Sequence, residues 1–178
     1  MSDVANGHVV GQERIDFETY YQSQVFGNIL NVASKKLNIM TDGTYTMKRH
    51  IYNEQDGTKS TSLDVDIFDT STGKTRSSKS LSGGETFMTA LSLALGFAEV
   101  IRNEAGAREL DCMFIDEGFG SLDNDSLHLV LNVLKNLSNQ NSRMIGVISH
   151  VEELGYEINN KINVSKDANG SHLDVVCK

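Results

Sequence analysis

Apolar positions along the chain fall into clear helical and strand periods. Across residues 12–39, Ile15, Tyr20, Phe26, Ile29, Leu30, Val32, Ala33 and Leu37 recur at near-helical spacing, and Gly27 is the only breaker. One long amphipathic helix is expected there, ended by Asp42-Gly43. Residues 45–51 and 63–67 alternate instead, the second run with one apolar and one acidic face, and turns are expected at 53–57 and 71–73. This predicts an antiparallel hairpin solvated on one side. Residues 87–101 are apolar nearly all round, the pattern of a helix buried over most of its surface. Gly96 inside it costs about 1 kcal/mol of helix propensity, so a closely packed helix neighbour is expected.

The second half reads as alternating strand and helix. Residues 112–115 form a continuous apolar run ending in acids, the pattern of a central parallel strand covered on both faces. Asp123, Asn124 or Asp125 can cap the next helix, whose buried stripe is Leu127, Val130, Leu131 and Leu134. Residues 143–149 suit a second buried strand, and 162–164 with 173–176, flanking Asn169-Gly170, suit a terminal hairpin. The whole is an α/β pattern, in which active residues gather at the carboxyl ends of the strands.

Composition narrows the function classes. A chain of 178 residues suits one domain with a sizeable core, and a net charge of -8 argues against a globally basic nucleic-acid coat, leaving only a local patch for such contact. Cys112 and Cys177 lack metal-ligand spacing and read as reduced bystanders in a cytosolic protein. Residues 1–11 are polar and unpatterned, with no secretory signal; they are expected to be disordered or foreign to the fold. No stretch is expected to span a membrane, the nearest, 87–101, being short and interrupted by Glu99.

Three stretches carry candidate chemistry. Leu81-Ser82-Gly83-Gly84-Glu85 precedes the apolar helix. Its glycines allow a tight turn that presents unpaired N–H groups and a hydroxyl to an anion, favoured by the helix dipole. The same residues also suit a plain capping box. Asp116-Glu117 close the first parallel strand, and such a pair is often only a turn or cap. His150 follows the second strand, where a lone histidine is usually a structural hydrogen-bonder. Lys48, Arg49, Lys59, Lys74, Arg76 and Lys79 are interleaved with acids and read as solvated strand faces; the sharper alternative has Lys74, Arg76 and Lys79 couple DNA or a coiled coil to the anion cradle.

Taken in order, LSGGETFMTALSLALG, FIDEGFGSLD and ISHVEEL resemble the signature motif, Walker B strand, D-loop and switch histidine of ATP-binding-cassette ATPases, most closely the SbcC branch of the SMC-like group. The resemblance covers residues 17–178 and implies the following. Residues 12–178 are the C-terminal lobe of an ABC-type ATPase head, with a parallel-core sheet, flanking helices, antiparallel hairpins and an N-terminal helix from the base of a coiled coil, so the chain begins at a cut. Asp116 holds Mg²⁺ directly or through water, and Glu117 orients and deprotonates the attacking water. His150 senses the γ-phosphate. Ser82, Gly83, Gly84 and Glu85 bind ATP held by an opposing head, and Ser121, Leu122 and Asp123 form the D-loop at the dimer interface.

The resemblance also implies partners. They are the N-terminal lobe of the same protein, a second head, the nuclease SbcD and double-stranded DNA, in a cytoplasmic, nucleoid-associated setting without a membrane. No G-x-x-x-x-G-K-[ST] occurs, so the main phosphate grip belongs to the other lobe, as do the coiled coil and its Zn²⁺ hook, for which this chain has no C-x-x-C. The fragment alone is expected to be inactive. The implied activity is ATP hydrolysis driving DNA end processing in repair and recombination; a structural DNA tether of the SMC type is the alternative, and a transporter ATPase is disfavoured by the long helix before the hairpin.

Overall fold

A computed structural model describes residues 17–50, 63–104, 112–141, 144–168 and 170–177. Helix α1 (Phe17–Met40) leads into strands β1 (Tyr45–Arg49), β2 (Val65–Asp69) and β3 (Lys74–Ser77), which form an antiparallel sheet in the order β1-β2-β3. A 3₁₀ turn (Ser78–Ser80) hands the chain to helix α2 (Gly83–Glu104). Strand β4 (Cys112–Asp116), a 3₁₀ turn (Phe119–Ser121), helix α3 (Asn124–Asn141) and strand β5 (Met144–Ile148) form a β-α-β unit with the strands parallel. Short helix α4 (Glu152–Glu157) precedes the antiparallel hairpin β6 (Lys161–Asp167) and β7 (Gly170–Val176).

The core lies where α1 crosses α2 and α3. Leu30, Ala33, Leu37 and Met40 of α1 meet Met88, Leu91 and Leu95 of α2, and the expected stripe Leu127, Val130, Leu131 and Leu134 of α3 is buried with them. Met47 and Ile67 extend this core beneath the antiparallel sheet, while Ile115 and Phe119 carry it to the end of β4. The close approach expected at Gly96 is present: a Cβ there would stand 2.8 Å from Ala33 N and 2.9 Å from Ala33 Cβ. Only a residue without a side chain lets the two helices touch at this height.

Several expectations need correction. The antiparallel sheet has a third strand, β3, because the turn at 71–73 returns Lys74–Ser77 along β2. Its sequence, KTRS, offers no apolar alternation, so it shows no strand period. Helix α2 is not buried over most of its surface, for Phe97 is 53% exposed and, with Val25, Phe26, Leu63, Ala90 and Leu93, borders an open apolar groove of about 590 Å³. At 22 residues α2 also outruns the apolar segment 87–101, and by length and composition alone it is long enough to cross a membrane. Its packing against α1 and its ion pair from Glu99 to Lys36 at 2.8 Å suit a core helix.

Nor is β4 covered on both faces. Phe114 is 71% exposed and Met144 on β5 is 67% exposed, because this chain supplies α3 to one face of the two-stranded sheet and nothing among the described residues to the other. An apolar run shows that both faces want cover and cannot say which chain segment provides it. The terminal hairpin forms with Gly170 at φ 130 as expected. The expectations for 1–16, Ile51, 53–57, Lys59, Arg143 and Asn169 lie outside the described residues.

Candidate functional site

The carboxyl ends of β4 and β5 build the first half of the site. Beyond Asp116 the strand breaks sharply, with Glu117 at φ 58 and Gly118 at φ 92. A left-handed glutamate is uncommon, and such strain is retained mainly where surrounding contacts enforce it. Here they do: Glu117 N–H donates to Ile148 O at 2.9 Å, continuing the ladder between the strands. Gly118 is required twice over, by its positive φ and because the Phe87 ring occupies the place of a Cβ. The reversal drops Phe119 into the core, where its ring meets Phe87 edge-on at 4.9 Å.

Past β5, Ser149 and His150 turn toward that reversal. His150 Nδ1 lies 3.1 Å from Glu117 Oε2, so two residues far apart in the chain meet at the strand ends. Both side chains are more than half exposed, and both reach open solvent beside the exposed Asp116. Among the described residues no cluster of His, Cys, Asp and Glu could hold a metal unaided.

The segment at Ser82 forms the plain capping box. Ser82 N–H donates to Glu85 Oε2 at 2.8 Å and Glu85 N–H donates to Ser82 Oγ at 3.3 Å, a reciprocal capping box at the start of α2. The donor set offered to an anion is therefore corrected. Ser82 N–H is taken, while the Ser82 hydroxyl proton and the first N–H groups of α2, from Gly83 and Gly84, have no acceptor among the described residues. The glycines are not turn glycines either, as neither has a positive φ. Gly84 is needed because a Cβ would stand 2.8 Å from Ser121 O, and Gly83 faces Ser121 Cβ at 3.5 Å. The segment thus rests directly on the loop after β4.

Glu85 is a hub. Its Oε1 accepts from Tyr45 Oη at 2.7 Å and from Arg76 Nη2 at 2.8 Å. Burial pushes its carboxyl upward, but the bonds from Arg76, Tyr45 and Ser82 outweigh this and hold it at about 2. Arg76 is accordingly an ion-paired residue and not a solvated strand charge, whereas Lys74 and Lys79 are exposed. Sequence periodicity misses Tyr45, which stands forty residues from Glu85 and carries no motif. Asp123 caps α3, accepting from Ser126 N–H at 2.8 Å, a bond that lowers its carboxyl pKa. Ser121 and Leu122 complete the loop, the Ser121 hydroxyl donating to Gly118 O at 2.8 Å.

Known proteins resemble this chain in sequence and in fold. The sequence model described as "SbcC/RAD50-like, Walker B motif" matches residues 53–136. The chain is 39% identical over 176 residues to the SbcC component of the SbcCD nuclease of Vibrio cholerae, and 40% identical over 173 residues to that of Treponema pallidum. The chain belongs to the SbcC family. It aligns over 99% and 97% of its own length but spans only 17% and 16% of those SbcC relatives. Solved structures of similar fold include an SMC ATPase from work on ATP-driven dimerisation and DNA-stimulated activation, with TM-score 0.69, 16% identity and 89% of both chains covered. Another is the Smc head domain of Pyrococcus furiosus bound to part of ScpA, with TM-score 0.66, 16% identity, and 90% of this chain and 37% of that one covered. The α/β architecture expected from the SbcC-like motifs is thus shared with SMC heads.

Proposed function

We propose that the chain is the C-terminal half of an ATPase head that hydrolyses ATP together with an N-terminal lobe supplying the main phosphate grip. The observation that carries this is the pairing of a strained Glu117 with His150 at 3.1 Å where β4 and β5 end. Phosphoryl transfer to water needs an oriented nucleophile and charge neutralisation more than covalent help. Glu117 orients and deprotonates the water, and His150, its partner in this state, turns to the γ-phosphate. Asp116 holds Mg²⁺, which neutralises phosphate charge. The Ser82 hydroxyl with the N–H groups of Gly83 and Gly84 contacts the γ-phosphate on an opposing head, Glu85 stabilises that loop, and Ser121-Leu122-Asp123 lie at the dimer interface.

In this reading the heads close on ATP and open on hydrolysis, driving DNA end processing by SbcD on double-stranded DNA in the cytoplasm. Identity of 39–40% to SbcC proteins, against 16% to SMC heads, favours it over a structural tether. The test is ATP turnover by a head assembled from this chain and an SbcC N-terminal lobe, with wild type compared to Glu117→Gln. Wild-type turnover, with the Gln variant accumulating as an ATP-bound dimer, is expected; equal turnover by both would overturn the assignment.

A further inference from the structure

The strand that follows α1 reaches the Ser82 segment through one side chain. Tyr45 opens β1, and the end of α1 with the turn after it fixes its main chain: Thr41 Oγ1 accepts from Tyr45 N–H at 3.1 Å, and Asn38 Nδ2 donates to Tyr45 O at 3.5 Å. From this anchored backbone the phenol donates to Glu85 Oε1 at 2.7 Å. Arg76 shares that oxygen, and its guanidinium carbon lies 5.2 Å from the centroid of the Tyr45 ring, so the ring steadies the cation as well. The opposite oxygen, Oε2, takes Ser82 N–H. An arginine fork can follow a swinging carboxylate; a second donor on a rigid aromatic stem fixes its rotation.

We propose that Tyr45 is a positioning residue for phosphate recognition by Ser82-Gly83-Gly84, holding the Glu85 carboxylate so that it occupies Ser82 N–H and leaves the Ser82 hydroxyl proton and the two glycine N–H groups for the anion. Tyr45 itself touches no phosphate; it acts through Glu85. The inference rests on the reading of this segment as an ATP-contacting element.

In the head assembled from both lobes, Tyr45→Phe keeps the ring, its packing and its contact with Arg76, and removes one hydroxyl. Nucleotide binding by a single head should stay at the wild-type level, while kcat falls about tenfold, the size expected for one hydrogen bond to a charged group, and ATP-driven dimerisation shifts to higher ATP. Glu85→Gln should show the same split, and the double variant Tyr45→Phe/Glu85→Gln should be no worse than Glu85→Gln alone. Wild-type kcat and dimerisation in Tyr45→Phe would overturn the proposal, as would a loss that adds in full to that of Glu85→Gln. A fall in single-head nucleotide binding together with Tm would overturn it too, marking a merely structural role. Ser82→Arg separates the two levels of argument. If Ser82→Arg dimerises and turns over like wild type, the underlying reading of the segment fails; if only Tyr45→Phe does, this inference alone falls.

Discussion

At the scale of single residues, Glu117 and Glu85 show how one residue type serves opposite ends. Glu117 is exposed and conformationally strained, held in the left-handed region by its ladder bond to Ile148 O. Glycine tolerates that region without penalty, so Glu117→Gly should stabilise the assembled head by about 1 kcal/mol, raising Tm by roughly 2–4 °C, while abolishing ATP turnover. Calorimetry and a phosphate-release assay check the two halves separately; an unchanged or lowered Tm would show that the backbone there is not strained.

Glu85 is the reverse case, stabilised as the anion. Its carboxyl falls from 4.5 to about 2, with Arg76 and Tyr45 overcoming the effect of burial. A depressed folded-state pKa contributes stability that is present above the unfolded value and lost as pH falls toward the folded one. The head should therefore lose stability between about pH 4.5 and pH 2 through this group, and Glu85→Gln should flatten that part of the profile of Tm against pH.

Elements show where sequence was sufficient and where it was not. The α3 stripe and the helix-helix approach at Gly96 were legible because each is written in local period or in one misplaced residue type. Two glycines inside the long helices, Gly27 and Gly96, then make opposite predictions. Gly27 has open space around a hypothetical Cβ, so Gly27→Ala should stabilise by up to about 1 kcal/mol. Gly96→Ala pushes on the Ala33 backbone and should destabilise by about 1–3 kcal/mol despite its better propensity, both read as shifts in thermal midpoint. Strand β3 and the Tyr45–Glu85 bond were not legible, since KTRS has no period and the bond joins residues that only the tertiary fold brings together. The motif residues Asp116, Glu117 and His150 stood out by resemblance, yet the strain at Glu117 and the capping bond of Asp123 emerge only in the folded chain.

At the scale of the whole molecule, apolar surface among the described residues is left open on two strand faces besides the groove beside Phe97. Cys112, Phe114 and Met144 share the bare face of the parallel sheet, while Ile162, Val164, Leu173 and Val175 share one face of the terminal hairpin, each of these four more than 60% exposed. Contiguous apolar surface of this kind is usually covered by a partner. If the N-terminal lobe provides that cover, the chain alone should bind a hydrophobic dye or self-associate in sedimentation experiments, and adding that lobe should reverse both. A monodisperse chain that ignores the dye would count against the split-head reading. Calorimetry should likewise find little ATP binding to the chain by itself.

The junction of β4 with β5 has one more consequence. Glu117 is fastened to the carbonyl of Ile148, and His150 stands two residues farther along the same strand direction. The Phe114 ring lies over Gly146, its cross-strand partner, like a pawl on a ratchet tooth. Sliding β5 by a single rung would carry His150 about 3.3 Å past the acid, a whole hydrogen-bond length. The gap between carboxylate and imidazole is thus a vernier for strand alignment, and a small slip far too subtle to unfold the sheet would first be felt as two side chains that no longer find each other.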